Sequence, residues 1–197
     1  MKPQLILIGG GGHCAACIDV IEQENKYEIA GIVDKCDAGK ISLGYPILGG
    51  DKDLQKLSLT YSYALITIGQ IKSPSTRIQL FKLIKSLGFI LPTCVSPRAY
   101  VSKHASIGEG TIIMHDALIN SRASVGQNCI INTKSLIEHD AVIEDHCHIS
   151  TGAIVNGGTV VRQGTFVGSN AVTKESVMTK ESDFVKAGSL FTGYKNE

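Results

Sequence analysis

From Val95 onward an aliphatic residue returns at every sixth position as far as Val167, thirteen times in succession. Four places after each of them stands a small or short side chain, from Ala99 and Ala105 through Cys129 and Cys147 to Ala171. A period of six matches neither the 3.6-residue repeat of an α-helix nor the two-residue alternation of a half-buried strand. It fits a chain that turns a corner every six residues. The aliphatic side chain fills each corner from within, and the small residue lets neighbouring walls approach. Single coils of this kind bury too little to be stable, and stacking merges their corners into one core. An ordinary β-sandwich would instead show turn signals at intervals of about 8–12 residues and no fixed register. The register weakens near the end: Thr173 and Thr179 take the aliphatic slot before Val185 and Phe191 restore it, so the last coil is expected to be distorted or looped.

Residues 1–92 follow a different grammar. Leu5 to Ile8 reads as a short strand, running into four glycines (Gly9 to Gly12), His13, and a stretch from Cys14 to Glu24 with Ile18 and Ile21 at helical spacing. Glu28 to Val33 reads as a second strand ending at Asp34, and Tyr63 to Ile68 as a third ending at Gly69. Ser75 to Ser86 is an amphipathic helix that Gly88 stops. Strands alternating with helices imply a small parallel sheet covered on both faces. The expected organisation is therefore an α/β domain over residues 1–92 and an all-β domain of hexapeptide repeats over 93–197. A glycine run between a strand and a helix brings backbone N–H groups and a helix N-terminus within reach of a phosphate, although such a turn also serves merely to pack helix on strand. Asp34 is placed to hydrogen-bond a ribose hydroxyl or a base, with Lys35 beside it and Gly69 at the next strand end.

Composition removes several alternatives. Nineteen Lys and Arg against eighteen Asp and Glu give a net charge of +1, too little to steer nucleic acid or an anionic membrane. With 43% hydrophobic residues, 6% aromatics and no Trp, the core must come from small and β-branched side chains. The apolar run at Leu5–Ile8 is too short for a signal-peptide core or a membrane span, which makes a cytoplasmic location the expectation. Six cysteines (Cys14, Cys17, Cys36, Cys94, Cys129, Cys147) without an export signal read as reduced core residues. The Cys14-x-x-Cys17 pair has no second pair to complete a zinc site, and His146-x-His148 has no third ligand, so no metal is expected.

The glycine loop ending in His13, the Val33-Asp34 and Ile68-Gly69 strand ends, Ile131-Asn132-Thr133, and Ile137-Glu138-His139-Asp140 in register with the repeat resemble the bacterial sugar acyltransferase family of hexapeptide-repeat proteins. That family includes sialic acid O-acetyltransferases and N-acetyltransferases of nucleotide-linked 4-amino sugars. The likeness spans roughly residues 4 to 191. It implies a small Rossmann-like domain that binds the sugar, followed by a left-handed parallel β-helix that binds acetyl-CoA, in a homotrimer with active sites between subunits. It also implies that Gly11, Gly12, His13, Asp34, Lys35 and Gly69 contact the sugar substrate. His139 then takes the acceptor's proton, as suits a histidine near neutral pH. Asp140 raises the basicity of that histidine, and Asn132 is a polar active-site residue. His148 contacts the thioester carbonyl and would stabilise the oxyanion, while Gly157, Ser169 and Ala187 contact acetyl-CoA largely through the backbone.

No cysteine or serine stands beside His139 as a nucleophile, which favours direct attack without an acyl-enzyme. The expected acceptor is the amine of a nucleotide-linked amino sugar. Tyr45 to Gly49 and Ser135 to His139 also resemble the sialic acid O-acetyltransferase subgroup, which keeps a hydroxyl acceptor as the alternative. The tail from Phe191 to Glu197 lacks the Gly-x-Pro-Ala segment with which many members end. An NAD(P)-dependent oxidoreductase would need more than about 90 residues of α/β structure and leaves the repeat unexplained. A non-catalytic trimeric scaffold would make His139, Asn132 and His148 coincidental.

Overall fold

A computed structural model describes residues 1–35 and 39–194 of the chain. The first half forms strand β1 (Gln4–Ile8), helix α1 (Gly12–Glu24), strands β2 (Glu28–Val33), β3 (Ile41–Ser42) and β4 (Tyr45–Gly49), a short helix α2 (Leu54–Leu57), strand β5 (Tyr63–Ile66) and helix α3 (Ser75–Ser86). The sheet order is β3-β4-β2-β1-β5. Four strands are parallel as expected, but β3 runs antiparallel to β4. The cause is a two-residue turn in which Leu43 (φ 54°) and Gly44 (φ 85°) are both left-handed, a geometry that reverses the chain without a crossover.

The second half is the left-handed parallel β-helix that the resemblance implies, turning a corner every six residues as the register predicts. Its two-residue strands stack into three parallel faces. The first carries Cys94, Ile112, Ile130, His148, Phe166 and Phe184 outward; the second Tyr100, Leu118, Leu136, Ile154, Val172 and Leu190; the third Ser106, Ser124, Val142 and Val160. The inward aliphatics and small residues form a single core from Ile113 to Val185. From Gly110 to Gly188 each corner is turned by one left-handed residue, three places after the inward side chain: Asp116, Arg122, Asn128 and Asp140 among them.

The last coil is neither looped nor thrown out. Thr173 and Thr179 occupy the inward slot, wholly or almost wholly buried. Threonine has the shape of valine, and here its hydroxyl is satisfied within the stack. Thr173 Oγ1 accepts the Asn156 N–H at 3.0 Å and meets Thr159 Oγ1 at 3.2 Å, while Thr179 Oγ1 accepts the Arg162 N–H at 2.8 Å and meets Thr165 Oγ1 at 3.2 Å. Only the third face thins at that level, to an isolated bridge between Val160 and Met178.

The two halves share one junction over the first face. Cys14, Cys17, Ile18 and Ile21 of α1 pack in one cluster with Cys94, Ile112 and Ile130 of the coils. Five cysteines are free and buried, and Cys36 lies outside the described residues. Asp19 of α1 meets His115 Nε2 at 2.7 Å, and His115 Nδ1 meets Ser96 Oγ at 2.7 Å. That Asp-His-Ser chain is a clamp rather than a nucleophile, because Ser96 is only 1% exposed.

Beyond α1 the junction is polar. The fully buried Arg77 guanidinium of α3 donates to the carbonyls of Ile66 (3.1 Å), Ile68 (2.7 Å) and Asn128 (3.1 Å) and to Asn128 Oδ1 (2.7 Å). It has no carboxylate partner among the described residues, and burial pushes its pKa down to about 10. Gln70 Nε2 donates to the carbonyls of His146 (3.0 Å) and Gly164 (3.2 Å), and the Gln70 carbonyl accepts from His148 Nδ1 at 2.5 Å. Burial lowers the pKa of His148 to about 4 and that of His13 to about 3, and it also lowers that of His146.

Arg77→Leu strands four acceptors in a dry junction, so it should cost about 3 kcal/mol in denaturant unfolding, with Arg77→Lys recovering only part. The buried histidines give the chain an acid-sensitive seam. Each is neutral when folded and titrates near 6.5 when unfolded, so the unfolded state binds more protons between about pH 4 and 6.5. The stability is therefore present above pH 6.5 and lost as the pH falls. His13 and His148 should each remove about 2 kcal/mol between pH 6.5 and 5, and His148→Gln should flatten that part of the profile.

Candidate active site

The glycine turn between β1 and α1 opens on a cleft of about 760 Å³, lined by Gly9 to His13, Asp34, Lys35 and Gly69, with Ile68, Ile71, Leu80 and Leu83 as an apolar wall and Thr76 and Gln79 at its edge. The four glycines have different tasks. Gly9 (φ 106°) is left-handed and lies so close to Ile68 that a Cβ would sit 2.3 Å from its side chain, and a Cβ on Gly10 would sit 2.8 Å from the Asp34 carboxylate. Gly11 and Gly12 face open space at the N-terminus of α1, whose first turn carries no acidic side chain and no side-chain cap. Neither N–H group has a hydrogen-bond partner among the described residues, an arrangement in which a helix N-terminus can meet an anion. Asp34 also braces the turn, because its carboxylate accepts N–H groups from Gly10 and, at 2.6 Å, from Lys35.

His13 lies at the inner end of the cleft, its Nε2 sealed from solvent and without a hydrogen-bond partner among the described residues. Its ring is 6.5 Å from that of His148. The hydrogen atoms of His148 can be assigned from its neighbours. The Gln70 carbonyl only accepts, so Nδ1 carries the hydrogen. Asn132 Oδ1 accepts the Thr133 N–H at 2.8 Å, so Asn132 Nδ2 is the group that donates to His148 Nε2 at 3.1 Å. In this neutral tautomer His148 has no N–H left for a ligand carbonyl.

His139 stands at a different corner, between the second and third faces. Its side chain is 63% exposed, and Nδ1 meets Asp140 Oδ2 at 2.8 Å. Arg122, one coil earlier, holds the same carboxylate through Nε (2.6 Å) and a terminal nitrogen (2.8 Å). Hydrogen bonds from Arg122 and then His139 hold the Asp140 carboxyl well below the usual range, so it is ionised. Nε2 of His139 has no partner among the described residues. The ring lies over Gly157 of the next coil, where a Cβ would come within 2.9 Å of it.

The register provides an internal comparison. His115 and Asp116 occupy the same places in their hexapeptide, and Arg98 holds Asp116 through Nε (3.1 Å) and a terminal nitrogen (2.6 Å). His115, however, turns to Ser96 and Asp19 and is only 14% exposed. Where His115 has Thr133 one coil on, His139 has Gly157; where His115 has Ser96 nineteen residues back, His139 has Asn120, which donates instead to Glu138 at 2.8 Å. The room under the ring and an asparagine in the place of Ser96 leave His139 paired with its own aspartate.

The expected residues thus fall into two groups. The glycine turn, His13, Asp34, Lys35 and Gly69 gather with His148 and Asn132 over the first face and its corner. His139 and Asp140 stand at another corner, with Gly157 beneath the imidazole. Ser169 and Ala187 lie on the same corner as Asn132, where Ser169 Oγ meets Ser150 Oγ at 2.9 Å. Sequence reading missed Arg122, Gln70, Arg77 and Asn128. Only the first had a usable signal, a charge opposite Asp140 eighteen residues away, which is one full coil.

Residues 4–84 match the PglD N-terminal domain family. No curated protein matches the chain. Among solved structures, the acetyltransferase domain of PglB from Neisseria gonorrhoeae FA1090 in complex with acetyl coenzyme A is 26% identical, with 98% of this chain aligned to 92% of that one at a TM-score of 0.90. A mutant of GDP-perosamine N-acetyltransferase from Caulobacter crescentus in complex with CoA and GDP-perosamine is 26% identical over 96% of this chain and 93% of that one, at a TM-score of 0.69. WeeI from Acinetobacter baumannii AYE, 18% identical over 96% of this chain and 94% of its own with a TM-score of 0.75, shares the fold. Residues 4–84 therefore match the PglD N-terminal domain family, and the chain as a whole shares the build of the PglB acetyltransferase domain and of GDP-perosamine N-acetyltransferase.

Proposed function

We propose that the protein transfers the acetyl group of acetyl-CoA to the amino group of a nucleotide-linked amino sugar. The observation that carries this reading is the exposed His139–Asp140 pair: an ionised carboxylate fixes Nδ1–H and leaves the Nε2 lone pair open to an acceptor. The amine nitrogen attacks the thioester carbonyl and its proton passes to His139 Nε2. As the new N–C bond forms the C–S bond breaks, and the imidazolium returns the proton to the departing CoA thiolate. No serine or cysteine hydrogen-bonds His139 among the described residues, which agrees with direct attack.

The similar proteins support the choice of both substrates, since one binds acetyl coenzyme A and another CoA with GDP-perosamine. So does the cleft, where the free N–H groups at Gly11 and Gly12 and the Lys35 side chain suit a pyrophosphate and the Ile68, Ile71, Leu80 and Leu83 wall suits a base. Asp34 and Gly69 would contact the nucleotide there. Ser169 and Ala187 would meet CoA through their backbone. Gly157, expected to do the same, is better assigned to seating the His139 ring. His148 and Asn132 serve each other and Gln70, which makes them positioning residues and leaves oxyanion stabilisation to groups other than the His148 ring.

His139 and the sugar cleft stand over different corners, so the reaction needs a second subunit. The second face supports a homotrimer: its outward row of Tyr100, Leu118, Leu136, Ile154, Val172 and Leu190 is an unbroken apolar strip, with Tyr100 60% and Leu190 65% exposed. A copy seated there would carry its His139 corner toward a neighbour's cleft.

Purified protein incubated with acetyl-CoA and UDP-, GDP- and dTDP-linked 4-amino sugars, beside free and CMP-activated sialic acid, should release thiol and add one acetyl group to a nucleotide amino sugar. His139→Ala should lower kcat by about 10²- to 10⁴-fold with an unchanged thermal midpoint. Full activity in that variant removes the base, and turnover confined to sialic acid replaces the acceptor. Ile154→Asp should shift the sedimentation profile from trimer to monomer and abolish turnover together, whereas an active monomer would place the whole site in one chain.

A further inference from the structure

We propose that Arg122 is a positioning residue for the acetyl transfer, setting both the orientation of Asp140 and the basicity of His139. The inference rests on the reading of His139 as the base. Arg122 binds both oxygens of Asp140, at 2.6 and 2.8 Å, and one of those oxygens also meets His139 Nδ1 at 2.8 Å. A bidentate guanidinium fixes the plane of a carboxylate in a way that a point charge does not. Here the carboxylate hangs from a left-handed corner residue (φ 60°) and is partly open to water, so among the described residues only His139 shares with Arg122 the task of holding that plane.

The sign of the electrostatic effect follows from the arrangement. The Asp140 carboxylate stabilises protonated His139, and the Arg122 charge on the same carboxylate offsets part of that stabilisation. The remaining titratable neighbour is Glu138, which accepts the His139 backbone N–H at 3.2 Å and the Asn120 side-chain N–H at 2.8 Å. The coil before contributes Asn120 and Ser121 beside Arg122, and the coil after contributes Asn156, Gly157 and Gly158, none of them titratable. Arg122 is thus the one cation facing the pair among the described residues. Removing it should make His139 more basic and Asp140 less well oriented at the same time.

The Arg98–Asp116 pair is the natural control. It has the same residues, the same spacing of one coil and the same two-nitrogen geometry, but its histidine is turned away and clamped. A ladder that only stabilises the stack would behave alike at both corners.

The experiment compares the parent chain with Arg122→Gln, Arg122→Lys and Arg98→Gln, by the pH dependence of kcat/KM and by NMR titration of the imidazole Cε1 protons, with His139→Ala identifying the resonance. In Arg122→Gln the acid limb and the His139 midpoint should both move up by about half a pH unit, and the plateau kcat should fall at least about threefold. Arg122→Lys should return the limb toward its original position but not the full kcat, and Arg98→Gln should leave the limb, the midpoint and kcat where they were. An unmoved midpoint in Arg122→Gln overturns the proposal, as does an equal change in Arg98→Gln. Because the NMR midpoint is read without turnover, the two claims fail separately: undiminished activity in His139→Ala would sink the assignment of the base, while the midpoint would still report on Arg122.

Discussion

One backbone constraint governs the second half of the molecule: from Gly110 onward each corner of the β-helix has a left-handed residue three places after an inward side chain. Non-glycine residues accept that conformation at a cost, and asparagine and aspartate accept it most readily because their short side chains hydrogen-bond locally. The chain meets the requirement with Asp116, Asn128, Asp140 and Asn170, with glycines at 110, 152, 158, 164 and 188, and with longer side chains such as Arg122 and His146. The residue before the corner position projects from the wall, so a His-Asp dipeptide in this register places an imidazole on the surface with a carboxylate beside it. Stacking at one coil per eighteen residues then puts a third residue directly above the aspartate. The His139–Asp140–Arg122 arrangement follows from the architecture once three residue types are supplied.

The junction between the halves obeys a different constraint, the need to satisfy polar groups that water cannot reach. Arg77 is held by carbonyls and an amide oxygen, and Gln70, His146, His148, Asn128 and Asn132 form a connected set around it. Such a set is stable only as a whole, because removing one member leaves others unpaired. Its directionality also fixes how the glycine turn lies over the first face, which apolar packing of α1 alone would define less sharply. The histidines serve because, held neutral, each offers one donor and one acceptor nitrogen.

Much of this was legible in the sequence, for physical reasons that can be named. Thirteen aliphatics at a spacing of six leave no other economical way to bury them, and a strand, four glycines and a helix define a turn that can meet an anion. The failures are equally specific. Thr173 and Thr179 were read by polarity alone, which hid that a threonine hydroxyl inside a coil can accept a backbone N–H of its neighbour. The β3–β4 hairpin consists of a two-residue strand and a turn containing Leu43, a residue that carries no turn signal. The junction joins Gln70 to Gly164 across 94 residues, and no local pattern encodes such a pairing. The register of His148 was visible, but its partners Gln70 and Asn132 were not.

The contrast between His115 and His139 shows what distinguishes a candidate base from a structural histidine in a repeat. Both have the aspartate, and both aspartates have the arginine. What differs lies one coil away on either side: a serine hydroxyl and the aspartate of α1 capture His115, whereas His139 has a glycine beneath it and an asparagine above that is already engaged. Exposure at His139 thus arises from what its neighbours omit. In a fold where every position repeats, adding a reactive residue is easy, since many register positions present it to solvent. Keeping its nitrogen unpaired is harder, because each coil stacks donors and acceptors against the next. The residues that define such a site are therefore to be sought eighteen positions before and after the histidine as much as beside it.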